Sequence, residues 1–144
     1  SVHCDDPIIF THQTAQWIKG MPKDFHIAYP DTLANYRRWS AAFSKEYIGS
    51  LLHEGLTDVE TSFFEANLSA AISAAEKYDV PLYCSEYGVI HQADLESTLH
   101  WYQTISAVFE KHHIGRAAWT YKEMDFGLTD AEAFPVMQKV LPLL

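Results

Sequence analysis

The chain has 144 residues and a formal net charge of −9; 48% of its residues are hydrophobic and 20% are charged. This length and balance predict one folded domain rather than a disordered segment. The negative charge argues against nucleic-acid binding, because no basic patch is available to neutralise phosphates. No apolar run reaches the about 18 residues of a membrane-spanning helix, and no signal peptide is visible.

The first predicted unit begins with a short strand at residues 1–5 and runs through residues 7–13 into a polar, aromatic region. Prolines and glycines interrupt this region, so we expect a long, partly helical loop over about 18–56, of the kind that caps a site. Thr57 and Glu60 have the spacing of a capping box and predict the start of a helix. Apolar side chains then follow at helical intervals at Phe64, Leu68, Ala71, Ile72 and Ala75.

Two further units repeat the order of strand and then helix. Residues 81–87 predict a strand, and a helix starting near Asp94 carries an apolar stripe of Leu95, Leu99, Tyr102, Ile105 and Phe109. We expect Trp101, in the same helix, to pack in the core. Residues 116–121 predict the next strand. A last short helix begins at Pro135, which suits a first-turn position, and is expected to bury Val136, Met137, Val140 and Leu141.

Alternating strands and helices predict an α/β protein with a parallel sheet. Either an open doubly wound sheet or part of a (β/α)8 barrel would satisfy this order. No G-x-G-x-x-G motif follows a strand, so nucleotide binding lacks support. A barrel explains why Glu86 ends one predicted strand and Trp119 takes the equivalent place on the next, because barrel enzymes build their sites at this edge.

The cysteines and the histidine pair have structural interpretations. Counting alternate residues from Glu86, Cys84 faces the interior of a barrel, whereas Cys4 faces outward if His3 points inward. Thiols on opposite faces could not form a disulfide, so we expect two buried free cysteines. The histidines at 112–113 end a helix and fit its dipole, and no spacing typical of a metal site is present.

Three motifs resemble those of a known family. Residues 3–17 read HCDDPIIFTHQTAQW, residues 83–88 read YCSEYG, and residues 118–128 read AWTYKEMDFGL. The first resembles the sixth-strand signature of glycoside hydrolase family 5, the cellulase family, which reads His-x-Tyr and then Phe-Thr-His-Gln-Gly-Ala-x-Trp. The second resembles the seventh strand with its nucleophilic Glu, and the third resembles the eighth strand with its subsite Trp. The three motifs agree in order and spacing over essentially the whole chain.

The resemblance implies a partial (β/α)8 TIM barrel with about three βα units, from a retaining endo-β-1,4-glycanase that hydrolyses β-glucan, with β-mannan as the nearest variant. It assigns Glu86 as the nucleophile, His3 as a second catalytic residue and Trp119 as a platform for a sugar ring. Trp17 and Lys122 are further substrate-binding candidates, although Lys122 could instead neutralise neighbouring carboxylates. No cofactor is implied. The family implies polysaccharide degradation in an extracellular or periplasmic location.

Two departures from the family pattern bear on activity. Asp5 stands where the family has its tyrosine, and a second carboxylate here would repel Glu86 and raise its pKa. The chain has no Asn-Glu dipeptide, the pair that contains the family's general acid/base on strand four. A complete barrel needs roughly 250 residues, so we expect residues 1–144 to be the carboxyl-terminal segment of a catalytic domain and to be inactive alone. Its expected partners are a β-linked polysaccharide or oligosaccharide, and the remainder of the barrel or a homo-oligomeric partner. The alternative is a catalytically inert structural or carbohydrate-binding fragment.

Overall fold

A three-stranded parallel sheet forms the centre of the computed structural model, which describes residues 1–43 and 47–144. Strands β1 (Val2–His3), β2 (Tyr83–Glu86) and β3 (Gly115–Arg116) lie in that order, and β2 pairs in parallel with both neighbours. Parallel neighbours need crossover connections, which helices supply here. The predicted α/β class with parallel strands is therefore confirmed.

Helices pack around this sheet. In the described part of the chain the α-helices are α1 (Ile8–Thr11), α2 (Leu33–Phe43), α3 (Thr61–Tyr78), α4 (Leu95–Lys111) and α5 (Phe134–Val140). Helix α3 leads into β2 and α4 connects β2 to β3, and α4 contacts both α3 and α5. Short 3₁₀ helices cover Gly49–Leu52 and Leu141–Leu143. None of the described helices has the length and apolar character needed to cross a membrane.

Helix α4 packs in the core and contacts the segment that follows β1. Asp94 precedes the helix, and its carboxylate accepts a hydrogen bond from the Ser97 backbone N–H at 2.9 Å, which satisfies one free N–H group of the first turn. Trp101 is fully buried, and its Nε1 donates to the Asp6 carbonyl at 3.1 Å. The predicted helix start and the packing role of Trp101 are both confirmed.

Helix α3 begins later than the sequence predicted. It starts at Thr61, and the Glu60 side chain makes no hydrogen bond to its first turn. The Asp58 carboxylate instead accepts hydrogen bonds from the backbone N–H groups of Glu60 at 2.9 Å and Ser62 at 3.2 Å. The predicted capping box of Thr57 and Glu60 is therefore wrong, because an ionised carboxylate accepts stronger hydrogen bonds than a threonine hydroxyl.

The third strand is shorter than the predicted 116–121. Strand β3 covers only Gly115–Arg116, but hydrogen bonds to the neighbouring segment continue beyond it. The Ala117 N–H donates to the Cys84 carbonyl at 2.9 Å, and the Trp119 N–H donates to the Tyr87 carbonyl at 2.8 Å. The chain therefore runs beside β2 and its continuation as far as Trp119.

The last helix differs from the prediction at its end. Helix α5 has Pro135 in its first turn, as predicted, and buries Val136 and Val140. Leu141 was expected in the core but is 56% exposed, because the α-helix ends at Val140 and a 3₁₀ helix begins. The tighter 3₁₀ winding turns the following side chains away from the buried face.

The region of about 18–56 contains helix α2 and the 3₁₀ helix Gly49–Leu52. Tyr36 on α2 is buried, and its hydroxyl donates to the Ala28 carbonyl at 2.8 Å. The Ser50 hydroxyl donates to the Asp6 carboxylate at 2.9 Å, which brings this region close to the segment that follows β1. Residues 44–46 of the predicted capping loop lie outside the described part of the chain.

Candidate active site

The carboxyl ends of the three parallel strands lie at one edge of the sheet. Glu86 is the last residue of β2, and it pairs in register with His3, the last residue of β1. His3 Nδ1 lies 4.0 Å from Glu86 Oε2. Trp119 lies at the same edge, because its N–H is bonded to the carbonyl of the residue that follows Glu86. The fold therefore gathers His3, Glu86 and Trp119 from separate parts of the chain.

An open cleft begins at this edge. Its lining residues are Asp5, His12, Trp17, Glu86, Gly88, Trp119, Met124, Asp125 and Phe126. Trp17 is 57% exposed and Trp119 is 38% exposed, so both indole rings offer an apolar surface to a bound molecule. Lys122 is exposed and is not among the residues that line the cleft. Four of the five predicted site residues thus lie in the cleft or beside it, and Lys122 lies outside.

Two carboxylates and an imidazole meet beside the cleft. Polar side-chain atoms of His3, Asp5 and Glu86 all lie within 4.8 Å of one another. Burial and the negative charge of Glu86 raise the pKa of the Asp5 carboxyl to about 6, while His3 acts in the opposite direction. The negative charge of Glu86 therefore makes the Asp5 carboxyl harder to ionise, and the effect of Asp5 on Glu86 that the sequence suggested stays a prediction.

The backbone of Glu86 is fixed from two sides. Its carbonyl accepts a hydrogen bond from the Cys4 N–H at 2.9 Å and another from the Cys84 thiol at 3.3 Å. Both cysteines are buried and free, as predicted. Their predicted placement on opposite faces is wrong, since the two thiols lie close enough to interact, and this interaction, with burial, raises the pKa of Cys4. A register irregularity between Val2 and His3 is the reason, because it interrupts the alternation of side chains along β1.

Gly88 allows Trp119 to approach the end of β2. A Cβ atom at Gly88 would lie 2.2 Å from the Trp119 carbonyl oxygen, which is closer than nonbonded atoms can come. Only glycine therefore permits this spacing between the two segments. The position of Trp119 beside the end of β2 consequently depends on this glycine.

A hydrogen-bonded loop forms the far wall of the cleft. Glu123, Met124 and Asp125 have φ angles of 66°, 61° and 63°, in the left-handed region that non-glycine residues rarely adopt. The Asp130 carboxylate accepts a hydrogen bond from the Glu123 N–H at 2.9 Å. The His91 N–H donates to the Asp125 carbonyl at 2.8 Å. These bonds hold the loop in its unusual conformation.

The sequence did not indicate several residues of the cleft. Met124 lies in the left-handed loop and Phe126 directly follows it, where neither helical nor strand periodicity applies. His12 lies against Phe126, with ring centres 5.1 Å apart, and burial lowers its pKa to about 4. His91 holds the loop through its main chain. The sequence signal was limited to position, because Met124 and Phe126 lie within the third motif, His12 lies within the first, and His91 follows the second.

Comparisons with known proteins agree with this geometry. No family model matches the chain. Endoglucanase C of Acetivibrio thermocellus is 31% identical over 143 residues, which cover 99% of this chain and 41% of that protein. Cellodextrinase A of Ruminococcus flavefaciens is 38% identical over 116 residues, covering 79% of this chain and 26% of that protein. The chain therefore spans less than half the length of these curated relatives.

Solved structures show the same fold. Endoglucanase Cel5A of Thermotoga maritima superimposes with a TM-score of 0.63 at 24% identity, covering 99% of this chain and 37% of that one. The cellulose synthase subunit Z of Clostridioides difficile gives a TM-score of 0.63 at 16% identity, covering 96% and 39%. The relatives, the fold and the three motifs agree: the chain belongs to glycoside hydrolase family 5 and corresponds to the carboxyl-terminal part of that family's (β/α)8 barrel.

Proposed function

We propose that this chain provides the nucleophile side of the catalytic centre of a retaining endo-β-1,4-glycanase. The observation that carries the proposal is that Glu86 and Trp119 share one open cleft at the carboxyl edge of a parallel sheet. A carboxylate beside an exposed aromatic ring can attack a sugar carbon while the ring holds the sugar. The similarity to an endoglucanase and a cellodextrinase supports the same reaction class.

In the proposed reaction the Glu86 carboxylate attacks the anomeric carbon and forms a glycosyl-enzyme ester. His3, 4.0 Å from Glu86, orients that carboxylate. A second carboxyl group about 5–5.5 Å away must protonate the leaving oxygen and later activate water. We assign that group to the remainder of the barrel, outside this chain, because the sequence lacks the Asn-Glu pair of the family. The chain alone is then inactive.

The proposed substrate is a β-1,4-linked glucan, with a β-mannan as the nearest variant. Solved structures of Thermotoga maritima Cel5A contain cellobiose and mannotriose, which supports both choices. Trp119 and Trp17 would stack on sugar rings. Lys122, exposed just beyond Trp119, would reach the sugar from outside the cleft. Such a polymer is degraded outside the cytoplasm, so we propose an extracellular or periplasmic location.

The region of about 18–56 is proposed to cap the substrate site. Trp17 immediately precedes it and lines the cleft, and the hydrogen bond between Ser50 and Asp6 ties it to the segment after β1. Both contacts lie beside the edge that carries Glu86. A cap in this position would restrict how a long polysaccharide chain enters.

A second candidate is an inert fragment that binds carbohydrate without cleaving it. The aromatic cleft favours binding, and the missing Asn-Glu pair favours inactivity. The two candidates differ in whether the chain supports turnover once the barrel is completed.

The test is to assay the chain alone and joined to the amino-terminal part of the Endoglucanase C barrel. We expect no reducing sugar from the chain alone and turnover of β-1,4-glucan by the joined protein. Glu86→Gln should abolish that turnover and leave substrate binding nearly intact, since an amide has the size of a carboxylate but forms no ester. Glu123→Gln is the matched control, because Glu123 follows the next strand but does not line the cleft.

A fluoroglycoside that traps the glycosyl-enzyme identifies the attacking carboxylate directly. A label on Glu86 supports the proposal. A label on Asp5 or Glu123, or substantial activity in Glu86→Gln, would show that another carboxylate attacks. A joined protein that binds oligosaccharide but produces no turnover would favour the inert fragment.

A further inference from the structure

A three-ligand cluster lies at the ends of β1 and β2. His3 offers a ring nitrogen, and Asp5 and Glu86 each offer a carboxylate oxygen, with all three ligand atoms within 4.8 Å of one another. The imidazole and one carboxylate come from β1 and the residues after it, and the other carboxylate comes from β2. His3 and Glu86 lie 83 residues apart along the chain, so no short sequence motif could reveal this group.

We propose that His3, Asp5 and Glu86 bind a single divalent transition-metal ion, and that Zn²⁺ suits this ligand set. Zinc takes nitrogen and carboxylate oxygen ligands, and sites with three protein ligands leave a fourth position for water or another group. Two carboxylates facing each other repel, and a bound cation removes that repulsion. The site stands on the geometry of these three side chains. Because Glu86 is also the proposed nucleophile, a bound ion would compete with the sugar for its carboxylate and would inhibit turnover.

The geometry needs only a small closure around the ion. Ligand bonds of about 2.0–2.2 Å in a tetrahedral arrangement place the ligand atoms about 3.4 Å apart. His3 Nδ1 and Glu86 Oε2 are already 4.0 Å apart. The His3 side chain is 60% exposed and that of Glu86 is 33% exposed, so both side chains have space to rotate toward an ion. The backbone beneath them is fixed by the Cys4 hydrogen bond to the Glu86 carbonyl.

Other histidines of the chain supply a comparison. His100 lies 2.7 Å from Glu60, and His112 lies 3.1 Å from Glu65. Each pair offers one imidazole and one carboxylate. Within residues 1–43 and 47–144, only His3, Asp5 and Glu86 form a group of three metal-ligating side chains. The third ligand distinguishes this cluster from the two His–Glu pairs. Substitutions at the cluster and at the pairs should therefore affect zinc affinity differently.

The test is calorimetric titration of the full chain with Zn²⁺, repeated with Co²⁺ to read the coordination number from its visible absorption. Copper is avoided because it binds almost any nitrogen and oxygen ligands more tightly. We expect one high-affinity ion per chain. Asp5→Asn and His3→Gln should each weaken Zn²⁺ binding at least about tenfold, while His100→Gln and His112→Gln should change it less than about twofold.

Circular dichroism checks that each variant folds, and His3→Gln keeps the test informative if Asp5→Asn does not fold, because His3 is exposed. Zinc affinity that is unchanged in either ligand variant, or that is lost in His112→Gln or His100→Gln, would overturn the proposal. These readings involve no turnover, so failure of the metal site leaves the assignment of Glu86 as nucleophile standing. Failure of that assignment likewise leaves the zinc titration interpretable.

Discussion

Trp119 combines partial exposure with a fixed backbone, which is what a sugar platform requires. The residue is 38% exposed and lines the cleft, while its backbone N–H donates to the Tyr87 carbonyl. Trp119→Ala in the completed barrel should weaken oligosaccharide binding by about 1–3 kcal/mol, the contribution of one stacked ring. The loss should fall largely on KM if the ring holds substrate and transition state alike.

Steady-state kinetics on a β-glucan oligosaccharide measures this effect. Tyr78→Ala is the matched control, because Tyr78 is a 66% exposed aromatic on α3 that does not line the cleft. Equal KM values for Trp119→Ala and the unaltered protein would exclude Trp119 from substrate binding.

His12 makes the stability of the fold depend on pH. Burial lowers its pKa from the ordinary 6.5 to about 4, so the His12 imidazole binds a proton less readily in the folded chain than in the unfolded chain. The stability contributed by neutral His12 is present above pH 6.5 and is lost as the pH falls toward 4. The free energy of unfolding should decrease over this window by on the order of 2 kcal/mol on account of His12.

Urea unfolding at about pH 7.5, above this window, and at about pH 4.5, near its lower end, measures the change in the free energy of unfolding. His12→Gln should reduce the difference between the two free energies of unfolding. The exposed His26 gives the control variant His26→Gln, which should retain it. An identical pH dependence in His12→Gln and the unaltered chain would contradict the assignment.

Single residues at strand ends were predictable, and their surroundings were less so. Glu86 and Trp119 follow apolar runs, and parallel strands bring such ends together, so motif and topology agree on both. The raised pKa of Asp5 could not be predicted without the fold, because it depends on burial and on the carboxylate of Glu86 from a distant strand. Lys122 follows Trp119 by only three residues yet lies outside the cleft, because the chain leaves the sheet between them.

At the level of elements, the contact between Gly88 and Trp119 couples the segments that follow β2 and β3. A methyl group at Gly88 would meet the Trp119 carbonyl at 2.2 Å, and that atom is backbone and cannot rotate away. Gly88→Ala should therefore separate the two segments and lower the free energy of unfolding by about 1–3 kcal/mol, the range for overpacking.

Gly49→Ala is the matched control, since nothing lies within 4 Å of a Cβ atom at that position. Denaturant unfolding measures the stabilities, and tryptophan fluorescence should report a changed environment for Trp119 in Gly88→Ala alone. Unfolding midpoints that are equal in the two variants would argue against this close contact.

Long elements were more predictable than short ones. Helix α4 has a cap and an apolar stripe over many turns, so several signals agree on it. Strand β1 has two residues and a register irregularity, and neither alternation nor propensity can specify side-chain direction over so short a span. The same limit explains the wrong faces predicted for the cysteines. The loop at 123–125 escaped prediction because its left-handed backbone follows no periodic pattern.

The whole molecule presents a sheet with two open sides. Strands β1 and β3 pair only with β2 in the described part of the chain, so each has one edge without a neighbouring strand. Beside β1 lies a groove lined by the half-buried Val2, the buried Phe64 and Leu68, and polar side chains such as His53. Asn67 Oδ1 is buried there without a hydrogen-bond partner among the described residues. Unpaired edges of this kind favour association with other polypeptides.

We therefore expect the isolated chain to associate through the β1 side. Light scattering should give a mass above 16.4 kDa that rises with concentration, unless the remaining barrel units cover the groove. Val2→Lys places a charge in the groove and should reduce association, because a charged edge resists strand pairing. Tyr78→Lys adds the same charge on an exposed helix face and should leave association unchanged. A monodisperse 16.4 kDa species at all concentrations would show that this edge needs no cover, since the unpaired strand β1 would then be stable in water.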